Sequence, residues 1–285
     1  MSNILLTGAT GFIGSNILKE IRLNNKVFII QRFESKKKIK KTKNIKIITF
    51  KNYNTLSNKL KKIKVDTIIH CATHYKKEHI EKDILKFIQS NILLGNIILE
   101  NLKKLNAKQF INFSTTWEDF DNKENNPRNL YAAYKKSFNC LIQYYKKTIP
   151  NINFIDLMIV DTFGENDKRQ KLINTLRNNY IKKRTSKIIS KRLYLNLINV
   201  EDIVNAVKIL LKNKIQPGKY ILKNSNYFNL FELIEYINKN NNNNRIKVKW
   251  LSNTLIKDKI LKYKKLKNWN PKKSNIKNVK DLILN

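Results

Sequence analysis

Along the first 160 residues, short apolar or β-branched runs alternate with longer stretches whose apolar positions recur every three or four residues. The runs at 3–7, 26–31, 45–50, 65–70, 109–114 and 152–159 are predicted strands. Helices are predicted at 11–23, 56–62, 79–105 and 130–147. In the third of these, Ile84, Phe87, Ile88, Ile92, Leu94, Ile98 and Leu102 fall close to helical spacing. Strand–helix units of roughly 20–40 residues imply an α/β chain with a doubly wound parallel sheet covered on both faces. Past Asp161 the rhythm loosens into a loop at 162–168, helices at 170–184, 200–212, 230–239 and 276–284, and a strand at 247–251. The tract NKNNNNN at 238–244 reads as a loop, and no internal repeat is present. Residues 1–160, with a return segment at about 193–213, are expected to form the main α/β domain, and residues 161–285 a smaller α/β lobe.

The first predicted strand runs into TGATGFIG, residues 7–14, and then into a helix. Three of the six glycines are used in this turn. Gly8 permits the tight turn, Gly11 lets the backbone approach a pyrophosphate, and Gly14 lets helix and strand pack closely. The helix start then offers free N–H groups and a positive dipole end to phosphates. That arrangement makes the sheet Rossmann-type. The second strand ends in Gln31 and Arg32, where NAD binders carry an acidic side chain for the ribose 2′-hydroxyl. Arg32 can pair with a 2′-phosphate, and Glu34 lies further along the chain, so NADP(H) is favoured over NAD(H). Arg32 as an ordinary solvated cation is the competing reading.

The formal net charge is +37 in a chain of 285 residues, which raises the prospect of nucleic acid or anionic membranes as partners. The cations are mostly lysine and are spread over the whole chain beside abundant Asn and Ile, the look of a compositional bias at permissive surface positions. A specific nucleic-acid role is not expected, although non-specific adhesion at low salt is. No run of 18 apolar residues occurs and no secretory leader is visible, so no membrane span is expected. Cys71 and Cys140 are far apart and expected to be free thiols, which fits a cytoplasmic location.

Candidate chemistry centres on YAAYK, residues 131–135. Tyr131 and Lys135 are one helical turn apart and share a face. An ammonium beside a phenol favours the phenolate and lowers its pKa, so such a tyrosine can exchange a proton with a carbonyl oxygen. Tyr134 has Phe138 at the matching position and is expected to pack. The fifth predicted strand runs on into Thr115 and Thr116, and Thr116, or less favourably Thr115, is placed at the carboxyl end of the sheet, where side chains face the ligand crevice and a hydroxyl can orient a substrate oxygen. Strand capping is the alternative for both. His70, His74 and His79 have no thiol or carboxylate cluster to complete a ligand set, so no metal is expected.

Taken in order, these elements resemble the extended short-chain dehydrogenase/reductase family, in its nucleotide-sugar epimerase/dehydratase branch. TGATGFIG (7–14) matches the cofactor fingerprint, VDTIIHCAT (65–73) the fourth-strand motif, and FINFSTT (110–116) the strand with the catalytic Ser/Thr. PRNLYAAYK (127–135) is similar to the Pro-x-x-x-Tyr-x-x-x-Lys signature, DTFGEND (161–167) to the Tyr-Gly-Pro turn, and NVEDIVNA (199–206) to the Val-x-Asp return. FNLFELIE (228–235) and NWNP (268–271) resemble the closing helix and tail. The resemblance implies Thr116, Tyr131 and Lys135 as catalytic residues. It implies Gly8, Thr10, Gly11, Phe12, Ile13, Gly14, Arg32, His70, Ala72, Tyr131 and Lys135 at the cofactor. Thr115, Thr116 and Arg169 would meet the substrate, a nucleotide-diphosphate sugar, and the chain would form a homodimer through the helices at 79–105 and 130–147. Trp117 stands where 4,6-dehydratases begin or complete an Asp-Glu pair and where epimerase-reductases carry a cysteine. The nearest resemblance is to reductases of the CDP-paratose and CDP-abequose synthase type, which reduce a 4-keto-6-deoxy sugar nucleotide for deoxysugar and surface polysaccharide synthesis. A 4-epimerase with tightly bound NAD and a non-catalytic NADP-binding protein are the alternatives.

Overall fold

A computed structural model describes residues 1–35, 37–241, 244–260 and 262–285. The chain begins with β1 (Asn3–Thr7), α1 (Phe12–Ile21), β2 (Lys26–Arg32), β3 (Ile45–Phe50), α2 (Tyr53–Leu60) and β4 (Thr67–His70). A long helical run follows: a 3-10 turn at Glu81–Asp83, α3 (Ile84–Phe87), a π-helical stretch at Ile88–Leu93, α4 (Leu94–Glu100) and α5 (Leu102–Leu105). Then come β5 (Gln109–Thr115), a 3-10 segment at Thr116–Asn122, α6 (Leu130–Thr148) and β6 (Asn153–Ile159). The remainder holds β7 (Asp161–Phe163), α7 (Leu172–Ile181), β8 (Ser186–Ile188), β9 (Leu193–Leu195), β10 (Leu197–Asn199), α8 (Val200–Lys212) and β11 (Gly218–Leu222). It closes with β12 (Phe228–Asn229), α9 (Leu230–Lys239), β13 (Val248–Trp250), β14 (Ile256–Lys257), β15 (Lys264–Lys265) and α10 (Ile276–Leu284).

Eight strands form one sheet in the order β3-β2-β1-β4-β5-β6-β11-β15, with every neighbouring pair parallel. The order reverses between β1 and β4, and this opens a crevice at the carboxyl ends of the strands. Alternation along each strand sorts side chains to the two faces. On β1, Ile4 and Leu6 join a core with Ile17 of α1 and Ile203, Val207 and Leu210 of α8. Leu5 points the other way, to Leu56, Ile98, Phe138 and Ile142 of α2, α4 and α6. A third cluster, including Phe163, Leu176, Ile188, Leu233 and Ile283, lies wholly in the second half of the chain.

Five helices start on an asparagine whose side chain accepts a backbone N–H of the first turn: Asn52, Asn129, Asn199, Asn229 and Asn275. The carboxylate of Asp202 in α8 fastens the tail, accepting from the Lys272 N–H (2.8 Å), the Lys273 N–H (3.0 Å to the nearer oxygen) and the Ser274 hydroxyl (2.6 Å). The Trp269 indole N–H adds a bond to the Asp202 carbonyl at 2.8 Å. Thus two sequence motifs, NVEDIVNA and the tail beginning NWNP, are the two halves of one joint.

The predicted bounds of α8, α9 and α10 match the structure. β5 runs one residue further than its pattern indicates, to Thr115, and β4 begins only at Thr67. The three-residue and two-residue strands of the second half are too short to show a period and exist through their pairing. In the asparagine tract, residues 242 and 243 lie outside the described residues. Among the described residues no helix is long and apolar enough to cross a membrane.

Candidate active site

A cavity of about 580 Å³ lies at the carboxyl ends of the parallel strands. Its floor is the turn from Gly8 to Gly14, and its far end is formed by Gln31, Arg32, Glu34 and Ser35 after β2. Ala72, Thr73 and Tyr75 follow β4, and Ser114, Thr115 and Trp117 end β5. Tyr131 and Lys135 enter from α6, and Asp161, Arg169 and Lys171 close the opposite side.

The floor is built for a close-lying ligand. Gly8 has φ +68°, and a Cβ there would meet the Ala72 nitrogen and the Cys71 carbonyl carbon at 2.7 Å. A Cβ on Gly14 would stand 2.3 Å from the Gly8 carbonyl oxygen. The α1 start carries no side-chain cap, so its N–H groups face the cavity free. Length, glycine floor and bare helix start together fit a dinucleotide. Among the described residues no group of three His, Cys, Asp or Glu could hold a metal ion.

At the end of the cavity beyond β2, Gln31 is committed to its own loop, donating to the Lys37 carbonyl at 3.2 Å and accepting the Ile39 N–H at 3.3 Å. Arg32 donates to the Ser90 hydroxyl at 2.5 Å, from the π-helical stretch that turns Ser90 into the cavity. Lys37 reaches back to the Thr10 carbonyl at 3.4 Å, a second cation beside the turn. Glu34, which the sequence places beyond this point, lines the same end of the cavity.

Four expectations change here. His70 is not on the cavity wall; it is 1 % exposed and lies between the rings of Phe110 and Phe138, centroids 6.0 and 5.2 Å away. The Thr7 hydroxyl accepts the Ala72 N–H at 3.0 Å and is also hydrogen-bonded to His70 Nδ1 at 3.0 Å. Burial, aided by the Lys135 charge, pushes the imidazole down to about 3, so it is neutral. Its work is to tie the glycine turn to the next strand end.

Thr116 is likewise off the wall, because β5 continues to Thr115 and Thr116 turns inward as the 3-10 segment begins. Thr115 is the threonine on the cavity. Its oxygen accepts the Trp117 N–H at 3.3 Å, which leaves its hydroxyl proton to point at a ligand.

The third change concerns the phenol. Burial pushes Tyr131 well above the usual tyrosine range, and the charges of Glu118 and Tyr75 push the same way. Smaller effects that lower it come from the Thr73 hydroxyl and Arg169. Lys135 itself is 3 % exposed and is held down by burial, while Glu118, Asp156 and Cys71 favour its charge. The predicted pair is on the cavity wall, but burial, followed by Glu118 and Tyr75, leaves the phenol raised and not lowered.

Fourth, Arg169 is largely spent on its own loop. It binds Asp167 through Nε (2.8 Å) and Nη2 (2.7 Å) and the Thr162 hydroxyl (2.6 Å), and stacks on Phe12 at 4.4 Å. The cation that the lysine-rich background concealed is Lys171. It pairs with Asp161 at 2.7 Å and lies over the rings of Tyr75 (4.8 Å) and Trp117 (4.5 Å). Tyr75 also meets Tyr131 edge-on at 5.0 Å. Tyr134 packs as expected, stacked on Phe87 at 5.3 Å.

A strand-turn-helix floor shaped for a dinucleotide, with a tyrosine and lysine one turn apart above it, defines an enzyme of the NAD-dependent oxidoreductase and epimerase kind. The chain belongs to the NAD dependent epimerase/dehydratase family, whose model matches residues 4–222. It is 28% identical to CDP-abequose synthase of Yersinia pseudotuberculosis over 220 residues, 76% of this chain and 75% of that one. It is 29% identical to dTDP-D-glucose 4,6-dehydratase of Dictyostelium discoideum over 246 residues, 74% of this chain and 56% of that one. In fold it is similar to dTDP-glucose 4,6-dehydratase of Bacillus anthracis in complex with NAD: TM-score 0.79, 18% identity, 100% of this chain and 96% of that one. It is also similar to UDP-N-acetylglucosamine 4-epimerase of Methanobrevibacter ruminantium: TM-score 0.78, 20% identity, 99% and 97% covered.

Proposed function

We propose that the protein reduces the ketone of a 4-keto-6-deoxy sugar nucleotide with NADPH, a step in making a deoxysugar for surface polysaccharide. The observation that carries the proposal is the convergence of Thr115, Tyr131 and Lys135 on one cavity whose floor is the Gly8–Gly14 turn. In this reading the cofactor supplies hydride. Thr115 donates its free hydroxyl proton to the ketone oxygen and fixes its direction. Tyr131 delivers a proton to that oxygen as the carbon is reduced, and Lys135 holds the nicotinamide ribose. The backbone from Thr10 to Gly14 holds the pyrophosphate, with Phe12 and Ile13 packing beneath it and Ala72 beside it. Arg32 and Lys37 meet the 2′-phosphate. The substrate diphosphate is assigned to Lys171, with Arg169 contributing whichever donors its loop leaves.

The relatives named CDP-abequose synthase support a deoxysugar substrate. Trp117 supports reduction over elimination, because its ring occupies the cavity wall where a dehydratase would need an acid or base. A homodimer through the helical run and α6 fits Ile84, Leu85, Ile88 and Tyr144, apolar side chains left exposed there. A second reading, a 4-epimerase that retains NAD, is favoured by Glu34 at the ribose end.

Purified protein given NADPH and CDP-4-keto-6-deoxyglucose should consume NADPH, and Tyr131→Phe should lose turnover while binding NADPH normally. No consumption, together with NAD released on denaturing the purified protein, would replace the reductase with the epimerase. Unchanged turnover in Tyr131→Phe would remove the mechanism.

A further inference from the structure

Behind the wall made by Ser114, Thr115 and Lys135 lies a second polar layer, where the packing of α6 on the sheet otherwise buries hydrocarbon. Asn112 and Ser114 alternate along β5 toward α6, and Asp156 on β6 stands in direct register with Asn112. Asn139 lies one turn beyond Lys135 on α6, and Glu118 folds back from the 3-10 segment. Glu118 is 0 % and Asp156 5 % exposed.

These side chains form one chain of hydrogen bonds. Asp156 Oδ1 accepts from the Ser114 hydroxyl (2.6 Å) and Asn112 Nδ2 (2.8 Å). Asn139 Nδ2 donates to Glu118 Oε2 (2.5 Å) and to Ser114 Oγ (3.0 Å), and Glu118 Oε1 accepts the Thr115 N–H at 3.3 Å. Asp156 Oδ2 finds no hydrogen-bond partner among the described residues. Two carboxylates sealed from water in one space cannot both ionise cheaply.

We propose that Glu118 and Asp156 share one proton and act as positioning residues for the Tyr131–Lys135 pair, the charge left on them holding Lys135 as an ammonium and setting how readily Tyr131 releases its proton. The groups that face this pair are Lys135 from α6, Lys219 from β11, Tyr131, and Tyr263 from the C-terminal segment. Burial, then Asp156, pushes the Glu118 carboxyl up to about 7, while Lys135 and Lys219 oppose it. The Glu118 charge in turn raises both Tyr131 and Lys135. Ionising Glu118 therefore makes Tyr131 a weaker acid, and reduction slows as pH rises through neutrality. Ser114 and the Thr115 N–H carry the linkage to the wall itself.

The proposal rests on Tyr131 and Lys135 being the reacting pair, so its first test avoids turnover. The full chain, labelled with carbon-13 at glutamate carboxyls, is titrated by NMR. One resonance with a midpoint near 7 is expected, absent in Glu118→Gln and moved to lower pH in Asp156→Asn. A Glu118 carboxyl that titrates with the surface glutamates overturns the shared proton. In single-turnover reduction of CDP-4-keto-6-deoxyglucose by NADPH, the fall in rate across pH 7 should vanish in Glu118→Gln with KM unchanged. A Glu118→Gln profile superimposable on that of the unaltered protein overturns the tuning role. If no protein reduces the ketone, the reductase reading has failed and the NMR titration still decides the proton. Asp156→Asn supplies the same evidence should Glu118→Gln not fold.

Discussion

Substituting Asp202 tests whether the tail is held by one carboxylate. In the folded protein that carboxylate takes two backbone N–H groups and a hydroxyl, at 2.6–3.1 Å. A hydrogen bond to a charged group contributes about 1.5–3 kcal/mol, and a buried donor left without a partner costs about 1–3 kcal/mol. Lys272 and Lys273 are exposed, so their N–H groups regain water once the carboxylate is gone. Ser274 is buried, and its hydroxyl also accepts the Asn199 N–H at 2.8 Å, so the damage extends to the start of α8. With that rehydration, Asp202→Ala should lose about 3–4 kcal/mol of the unfolding free energy. Asp202→Asn keeps an acceptor of the same shape without the charge and should lose about 1–2 kcal/mol. Urea unfolding at neutral pH measures both, and hydrogen exchange at the Lys272 and Lys273 amides reports where the loss falls. An Asp202→Ala loss under about 1 kcal/mol, or unaltered exchange at those two amides, would refute the assignment of Asp202 as the fastening.

Gly14→Ala places a Cβ 2.3 Å from the Gly8 carbonyl; titration with NADPH should show at least about tenfold weaker binding, since about 1.4 kcal/mol of distortion suffices. Arg32→Ala should weaken NADPH about tenfold or more and leave NADH within about twofold, a charged pair being worth more than one tenfold step; equal losses for both would make Arg32 an ordinary surface cation. The Glu118 carboxyl is raised from 4.5 to about 7, so the folded protein holds that proton more tightly and the associated stability, present below pH 4.5, is lost as pH rises through about 7. At about 1.4 kcal/mol per pH unit the span amounts to about 3 kcal/mol. His70, pushed down to about 3, pulls the opposite way but is common to both proteins, so the measurement is the difference between the unaltered protein and Glu118→Gln in urea from pH 4.5 to 7.5. Parallel stability curves would contradict it. The proposed homodimer predicts that the unaltered chain sediments as a dimer and that Leu85→Glu, at a leucine 63% exposed, sediments as a monomer; a monomeric unaltered chain would refute it.

Local chemistry was the legible part. The Gly8–Gly14 turn announces itself because only glycine satisfies its backbone and its close approaches, and the Tyr131–Lys135 spacing needs nothing beyond a helix. Choosing between Thr115 and Thr116 required knowing where β5 stops, and one residue reverses the face a side chain takes. What raises Tyr131 is its burial and then the charge of Glu118, thirteen places away in the chain, and neither is visible in the sequence. Lys171 carries no distinguishing mark among so many lysines until the rings of Tyr75 and Trp117 surround it. Asn199 to Ala206 was recognisable as a motif, but its structural purpose appears only when Ser274 arrives on Asp202.

The amide caps at Asn52, Asn129, Asn199, Asn229 and Asn275 give an unusual chain a practical advantage. An amide has no proton to gain on acidification and no charge for salt to shield. Five helix beginnings are therefore anchored with the same grip in an acidified or a saline medium, where carboxylate anchors would slacken, even though the molecule around them is loaded with cations.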